Sequence, residues 1–197
     1  MQKTDFLNSK TIHNLARSYA SECMEGARYQ FLAKECQQKE LVFLKMSLKQ
    51  LAKHEMAHAK VFWDYIVQYA GSPVKNINIE AGFPFTSGAF VDTFNFHSLE
   101  ENELFEHIYP NFAKIAEEEG FLDIAHSFKL IASVEHCHSM LLTEIYNKLK
   151  GNKLYKSPTP TKWKCSACGF EHTDKQIWDT CPLCKLPQGY GEIKFTE

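Results

Sequence analysis

Apolar and polar positions along the chain follow a helical period in four long stretches, and little of it alternates as a strand does. The first stretch runs from about Ser9 to Gln37. The second runs from about Glu40 to Ala70, where Gly71 and Pro73 supply a stop. A third begins near Asp92, and a fourth spans about Phe121 to Lys150, closed by Gly151. Gly120 separates these last two and predicts a tight antiparallel hairpin. Gly71 to Val91 is a long connection with three glycines and two prolines, which suits a crossover between two halves of a bundle. Residues 151–161, GNKLYKSPTPT, read as a proline-interrupted linker. The predicted organisation is an all-α four-helix bundle over residues 1–150, a linker, and a separate small unit over 162–197.

The helical part repeats itself. Glu22 is followed seven residues later by Tyr29, then by Ala33-Lys34, then by Glu55-x-x-His58. Glu101 is followed eight residues later by Tyr109, then by Ala113-Lys114, then by Glu135-x-x-His138. Lys34 to Glu55 and Lys114 to Glu135 are both 21 residues, so two helix hairpins carry the same features in the same order. Glu-x-x-His puts two ligating side chains on one helix face. Two such hairpins packed together bring four glutamates and two histidines to the bundle centre, the ligand set of di-iron and di-manganese carboxylate bundles. Bridging carboxylates can hold two cations close together, and neutral imidazoles suit iron. Glu22, Glu55, His58, Glu101, Glu135 and His138 are therefore the predicted metal ligands. A single glutamate or a single Glu-x-x-His is ordinarily a solvated surface feature; two copies in register are not.

His54-Glu55-Met56-Ala57-His58 also matches H-E-x-x-H, the zinc-protease pattern. The second copy, Val134-Glu135-His136-Cys137-His138, keeps only Glu-x-x-His. A zinc protease would also leave Glu22 and Glu101 without a role. His54 is accordingly expected to lie off the metal-facing side.

Composition changes this picture little. The chain has 197 residues and a net charge of −2. No basic face argues for nucleic acid, and no apolar run could span a bilayer. The start, MQKTDFLNSKTIHNL, lacks the apolar core of a secretory signal, so a cytoplasmic protein is expected. Cysteine placement adds more. Cys165, Cys168, Cys181 and Cys184 form C-x2-C, twelve residues, C-x2-C, which reads as a tetrathiolate metal site rather than disulfides. Spacing alone leaves zinc and iron open, and a redox-active neighbour on the same chain favours iron. So small a unit is expected to fold through its metal. Cys23, Cys36 and Cys137 are read as small buried residues without a metal role.

Taken together, several stretches give the chain a resemblance to rubrerythrins over nearly its whole length. They are Glu22 through Ala27-Arg28-Tyr29, Glu55-x-x-His58-Ala59-Lys60, Tyr109-Pro110-x-Phe112-Ala113-Lys114-Ile115-Ala116, Glu118-Glu119-Gly120, Glu135-x-x-His138 and Lys162-Trp163-Lys164-Cys165. The resemblance implies a ferritin-like di-iron domain followed by a rubredoxin-like domain with one iron. It implies a peroxidase reducing hydrogen peroxide to water, fed from NAD(P)H through a rubredoxin or flavoprotein donor. It further implies a homodimer in which one subunit's tetrathiolate iron approaches the other's di-iron site. Tyr29 and Tyr109 match tyrosines near the metals, where a phenol can hydrogen-bond a ligand or bound peroxide. One position departs from the pattern: where the family usually carries a seventh carboxylate, three residues after Glu101, this chain has Leu104. Glu25, one turn after Glu22, is the candidate substitute; its alternative is an exposed first-helix glutamate. The departure leaves room for a ferroxidase or oxygen reductase on the same scaffold. A further alternative is a non-enzymatic iron-binding protein with a zinc ribbon.

Overall fold

The computed structural model describes residues 6–195. The predicted helices are α1 (Lys10–Gln38), α2 (Val42–Ala70), α3 (Phe90–Glu103) running on into α4 (Tyr109–Glu118), and α5 (Leu122–Lys150). A π-helical turn, Leu104–Ile108, joins α3 to α4 within one rod. α1 packs along α2, and the α3–α4 rod packs along α5, so the bundle is two hairpins laid together.

Each hairpin turns the same way. After α1, Lys39 donates to Glu35, Glu40 to Gln37 and Leu41 to Cys36. After α4, Glu119 donates to Ile115, Gly120 to Glu117 and Phe121 to Ala116. Both turns need a left-handed residue at the helix stop. Gly120 supplies it at φ +82°, whereas Glu40 adopts φ +59°. Glu119 also ties the hairpins together. Its carboxylate accepts from the Lys10 and Thr11 amides at 2.8 and 2.9 Å, and from the Thr11 hydroxyl at 2.6 Å. The anion thus caps the start of α1, alongside the Ser9 hydroxyl on the Ile12 amide.

Two apolar clusters fill the bundle. One gathers Ile12, Leu15, Phe62, Tyr109, Phe112, Phe121 and Phe128. The other gathers Tyr29, Leu32, Cys36, Leu44, Leu48, Phe94, Leu142 and Ile145. Residues 71–89 carry no regular secondary structure. Arg28 fastens this connection, donating to the Pro84 carbonyl with its guanidinium over the Phe85 ring at 5.2 Å.

Strands β1 (Lys156–Lys164) and β2 (Glu171–Gln176) pair antiparallel beyond α5. The expected linker over 151–161 is thus half strand. Lys156 pairs with Gln176, and regular pairing resumes at Thr161 after an irregularity. Pro158 and Pro160 fall inside that irregularity, where a missing amide hydrogen costs no ladder bond. The C-terminal unit sits against the first hairpin turn. Gly189 lies so close to the Glu40 carbonyl that a Cβ there would collide with it. Leu154 and Ile193 join the second apolar cluster. Among the described residues, no helix is long and apolar enough to cross a membrane.

Candidate metal centres

The helix pairing brings all six predicted bundle ligands together, buried between the two apolar clusters. Glu22, Glu55, His58 and Glu135 converge as one group, and Glu55, Glu101, Glu135 and His138 as a second; in each, one ligand atom per residue lies within 4.8 Å of the others. Glu55 and Glu135 belong to both. Glu135 turns Oε1 to His58 Nδ1 at 2.9 Å and Oε2 to His138 Nδ1 at 2.8 Å. Glu55 turns Oε2 to His58 at 3.4 Å and Oε1 to His138 at 3.0 Å. Each shared carboxylate therefore faces both histidines, one oxygen apiece.

This donor set fits a pair of cations. Glu55 Oε1, Glu101 Oε2, both oxygens of Glu135 and the Nδ1 atoms of His58 and His138 are buried without a directional hydrogen bond. Burial and the nearby Glu135 charge push the Glu22 and Glu101 pKa values well above the usual carboxylate range. Burial opposes charging of His58, yet the contacts with Glu135, Glu22 and Glu55 lift it to about 12. His138 rises to about 9 through Glu135 and Glu55, again against burial. Burial would raise Glu55 too, but the two histidines hold it near 2. Without metal, protons carry the positive charge that the carboxylates demand.

The predicted tyrosines cross between hairpins. The Tyr29 hydroxyl donates to Glu101 Oε1 and the Tyr109 hydroxyl to Glu22 Oε1. Both are fully buried, and burial plus the adjacent carboxylates raise their pKa values well above 10, so they remain donors. The unequal sequence spacing has a physical resolution here. Glu22 and Glu101 are 79 residues apart, whereas Tyr29 and Tyr109, Glu55 and Glu135, and His58 and His138 are each 80 apart. The extra residue falls between Glu101 and Tyr109 and is taken up by the π turn. Tyr109 thereby keeps the phase that Tyr29 has on α1.

Three readings of the sequence need correcting. His54 does not lie away from the centre: its ring is nearly coplanar with that of His138, edge to edge, with centroids 5.3 Å apart and planes 11° apart. Its Nδ1 is 3.1 Å from His138 Nε2. Glu25 is neither exposed nor part of the cluster; it is 4% exposed. Its Oε1 accepts from Arg28, and its Oε2 lies 3.2 Å from His97 Nδ1. With both oxygens engaged it does not replace the carboxylate missing at Leu104, which packs in the apolar cluster around Tyr109. Among the remaining cysteines, Cys36 is buried as expected, Cys23 is partly exposed, and Cys137 is exposed. Arg28 lies within a stretch that carries the family resemblance, but nothing there pointed to Glu25, and His97 had no signal in the sequence beyond its place on α3.

The second centre is built from two matching turns. The Cys165 carbonyl accepts from the Gly169 amide at 2.8 Å, and the Cys181 carbonyl from the Lys185 amide at 3.0 Å. Gly169 and Lys185, each following the second cysteine of its pair, have φ of +74° and +61°. The four sulfurs lie within 4.8 Å of one another, with Cys165–Cys184 at 3.8 Å and Cys168–Cys181 at 3.7 Å. Those separations match the edge of a tetrahedron with metal–sulfur bonds of about 2.3 Å and far exceed a disulfide of about 2.05 Å. Backbone amides aim at sulfur: Phe170 at Cys168, and Cys184 and Leu183 at Cys181. Against burial, the Cys184 and Leu183 amides and the neighbouring thiols bring Cys181 down to about 7, towards the thiolate a metal needs. Against its Phe170 amide, burial and the other three thiols lift Cys168 to about 12.

A family model described as rubrerythrin matches residues 13–94 and 96–167, and one described as the rubrerythrin rubredoxin-like domain matches 163–190. Rubrerythrin-1 of Clostridium acetobutylicum is 32% identical over 185 residues, covering 94% of each chain. Among solved structures, partially reduced nigerythrin superposes with a TM-score of 0.62 at 20% identity, covering 94% of this chain and 90% of that one. Desulfovibrio desulfuricans bacterioferritin superposes with a TM-score of 0.64 at 24% identity, over 73% of this chain and 82% of that one.

Proposed function

The chain belongs to the rubrerythrin family, and from that premise we propose that it is a di-iron peroxidase reducing hydrogen peroxide to water. As a family member it is an oxidoreductase with a ferritin-like di-iron bundle and a rubredoxin-like four-cysteine iron site. The observation that carries the finer reading is the pair of shared carboxylates, Glu55 and Glu135, each facing both histidines. In the proposal they would be donors common to an iron pair, with Glu22 and His58 the further donors of one group and Glu101 and His138 of the other. Once bound, the iron pair supplies two electrons to peroxide together, and the tetrathiolate iron supplies them singly. Each peroxide then takes up two electrons and two protons and leaves as two waters.

The chain's own residues shape that chemistry. Glu55 and Glu135 would hold both metals and, as shared anions, offset their charge. Tyr29 and Tyr109 fix one oxygen each of Glu101 and Glu22, so those carboxylates present a defined lone pair inward. The apolar clusters on either side keep bulk water from a site whose charges are tolerable only when paired. Cys165, Cys168, Cys181 and Cys184 hold the electron-carrying iron. That unit rests on the turn before Val42, and Glu55 lies 13 residues further along α2, which at 1.5 Å per residue is about 20 Å. This separation within one chain favours a homodimer in which each four-cysteine unit serves the partner's bundle. Re-reduction comes from a rubredoxin or flavoprotein fed by NAD(P)H.

A second reading, an oxygen reductase or ferroxidase, is favoured by one observation: Leu104 gives no carboxylate and Glu25 is bound elsewhere. Rapid mixing of anaerobically reduced protein with peroxide, and separately with oxygen, tests both. The measured signal is the return of ferric tetrathiolate absorbance. Faster return with peroxide is the expected result; oxygen outpacing peroxide would move the assignment to the second reading.

A further inference from the structure

The two metal-facing histidines are not equally supported. Each turns Nδ1 towards the glutamates. A neutral imidazole that gives the Nδ1 lone pair to a metal carries its hydrogen on Nε2, and a buried N–H without an acceptor is costly. For His138, whose side chain is 4% exposed, the acceptor is at hand. His54 Nδ1 lies 3.1 Å from His138 Nε2, and the two rings are nearly coplanar, edge to edge, with planes 11° apart and centroids 5.3 Å apart, so the nitrogen lone pair lies along the line of the bond. His54 is held in turn. Its Nε2 is 2.9 Å from Gln50 Nε2, one turn earlier on α2, and a half-turn of that amide sets Oε1 there to accept from a His54 Nε2–H. A primary amide offers both a carbonyl and an NH2 group, so Gln50 can match the tautomer His54 adopts. Among the described residues, no side chain gives His58 equivalent backing.

We propose that His54 is a positioning residue for one metal of the pair. Its Nδ1 accepts the His138 Nε2 hydrogen, which locks His138 in the tautomer and ring orientation that direct Nδ1 to the metal, while Gln50 braces His54 from the protein's edge. Outer partners of this kind set ligand direction and basicity. They act without touching the metal or the substrate. The inference rests on the bundle cluster being a metal centre, but not on peroxide being its substrate. It also gives the H-E-x-x-H match a use: the first histidine serves the metal through a ligand on α5, not as a ligand itself.

The test is metal binding by the full-length protein, stripped of metal and titrated with cobalt(II) against a competing chelator. His54→Phe keeps a planar ring in the same place and removes the acceptor. His54→Asn keeps an acceptor at about the Nδ1 position. The expected result is a loss of about ten- to hundred-fold in affinity for His54→Phe, concentrated in one of the two bundle sites, with most of it restored in His54→Asn. Ferrous Mössbauer spectra of iron-loaded His54→Phe should show one iron perturbed and the other as in wild type. The proposal is overturned if His54→Phe binds both ions as wild type does, weakens both equally, or is not rescued by asparagine. A wild-type bundle that takes up no cobalt would sink the metal-centre reading itself, which keeps the two failures distinct.

Discussion

The two candidate centres solve the same problem from opposite ends. The bundle collects its six donors from four helical segments, with Glu22 and Glu135 113 residues apart in sequence. Long helices and two apolar clusters hold those donors in place. The C-terminal unit collects four donors from twenty residues, with two short strands and little buried apolar surface beyond Trp163, Ile177 and Ile193. In the first, the fold makes the site; in the second, the site makes the fold. Burial of charge follows the same division. Glu22 and Glu101 are buried and pushed towards protonation, whereas Cys181 is tuned by backbone amides within its own turn.

Complete metal removal should therefore split the molecule. The bundle should stay helical while residues 156–195 lose their amide protection, which hydrogen exchange by mass spectrometry will register. Binding energies of about 10–16 kcal/mol are typical of structural metal sites in such small units. A C-terminal unit still protected without metal would break the comparison. Smaller, and confined to the bundle, is the difference between ligands. Glu135→Ala removes a donor common to both groups and should abolish both bundle metals, whereas Glu22→Ala removes a donor from one. Metal content per chain separates them.

The metal-free bundle should also respond to pH. His58 and His138 have folded-state pKa values near 12 and 9 against an ordinary 6.5, and Glu22 and Glu101 are raised as well. Groups raised on folding bind more protons in the folded state, so their contribution is full below the unfolded pKa and lost as pH rises. Thermal melts of metal-free protein should fall between pH 6.5 and about 9, the His138 window. The metal-loaded bundle should not show this fall, because cations replace the protons. Smallest are two backbone changes. Glu40→Gly and Lys185→Gly each relieve a left-handed residue and should stabilise by about 0.5–1 kcal/mol. The first should raise the bundle's melting temperature, and the second should act only on the C-terminal unit.

Much of this was legible in the sequence because it is periodic. Two Glu-x-x-His pairs, each trailing a glutamate and a tyrosine, specify which helix faces must meet. The four cysteines were legible because their contacts are local. What escaped depends on contacts between helices that periodicity does not encode. His54 reaches His138 across 84 positions, and its neighbour Glu55 gave no hint of which way its ring would turn. Glu25 sits one turn from a ligand, but Arg28 and His97 turn its carboxylate away. The strand within 151–161 was hidden by two prolines, whose effect on pairing depends on where the irregularity falls.

The π turn has a consequence for how such a molecule can change over generations. If the two hairpins descend from one ancestral hairpin, they have since come to differ in length by one residue at one place. Glu101 and Tyr109 are both pinned, the first to the metal cluster and the second to Glu22. The residues between them answer to neither constraint, and the spare one is stored there. Leu104, where the resemblance led to the expectation of a carboxylate, opens that stretch. A symmetric centre thus stands on asymmetric rods, and the second hairpin keeps its tyrosine in phase through a turn that the first does without.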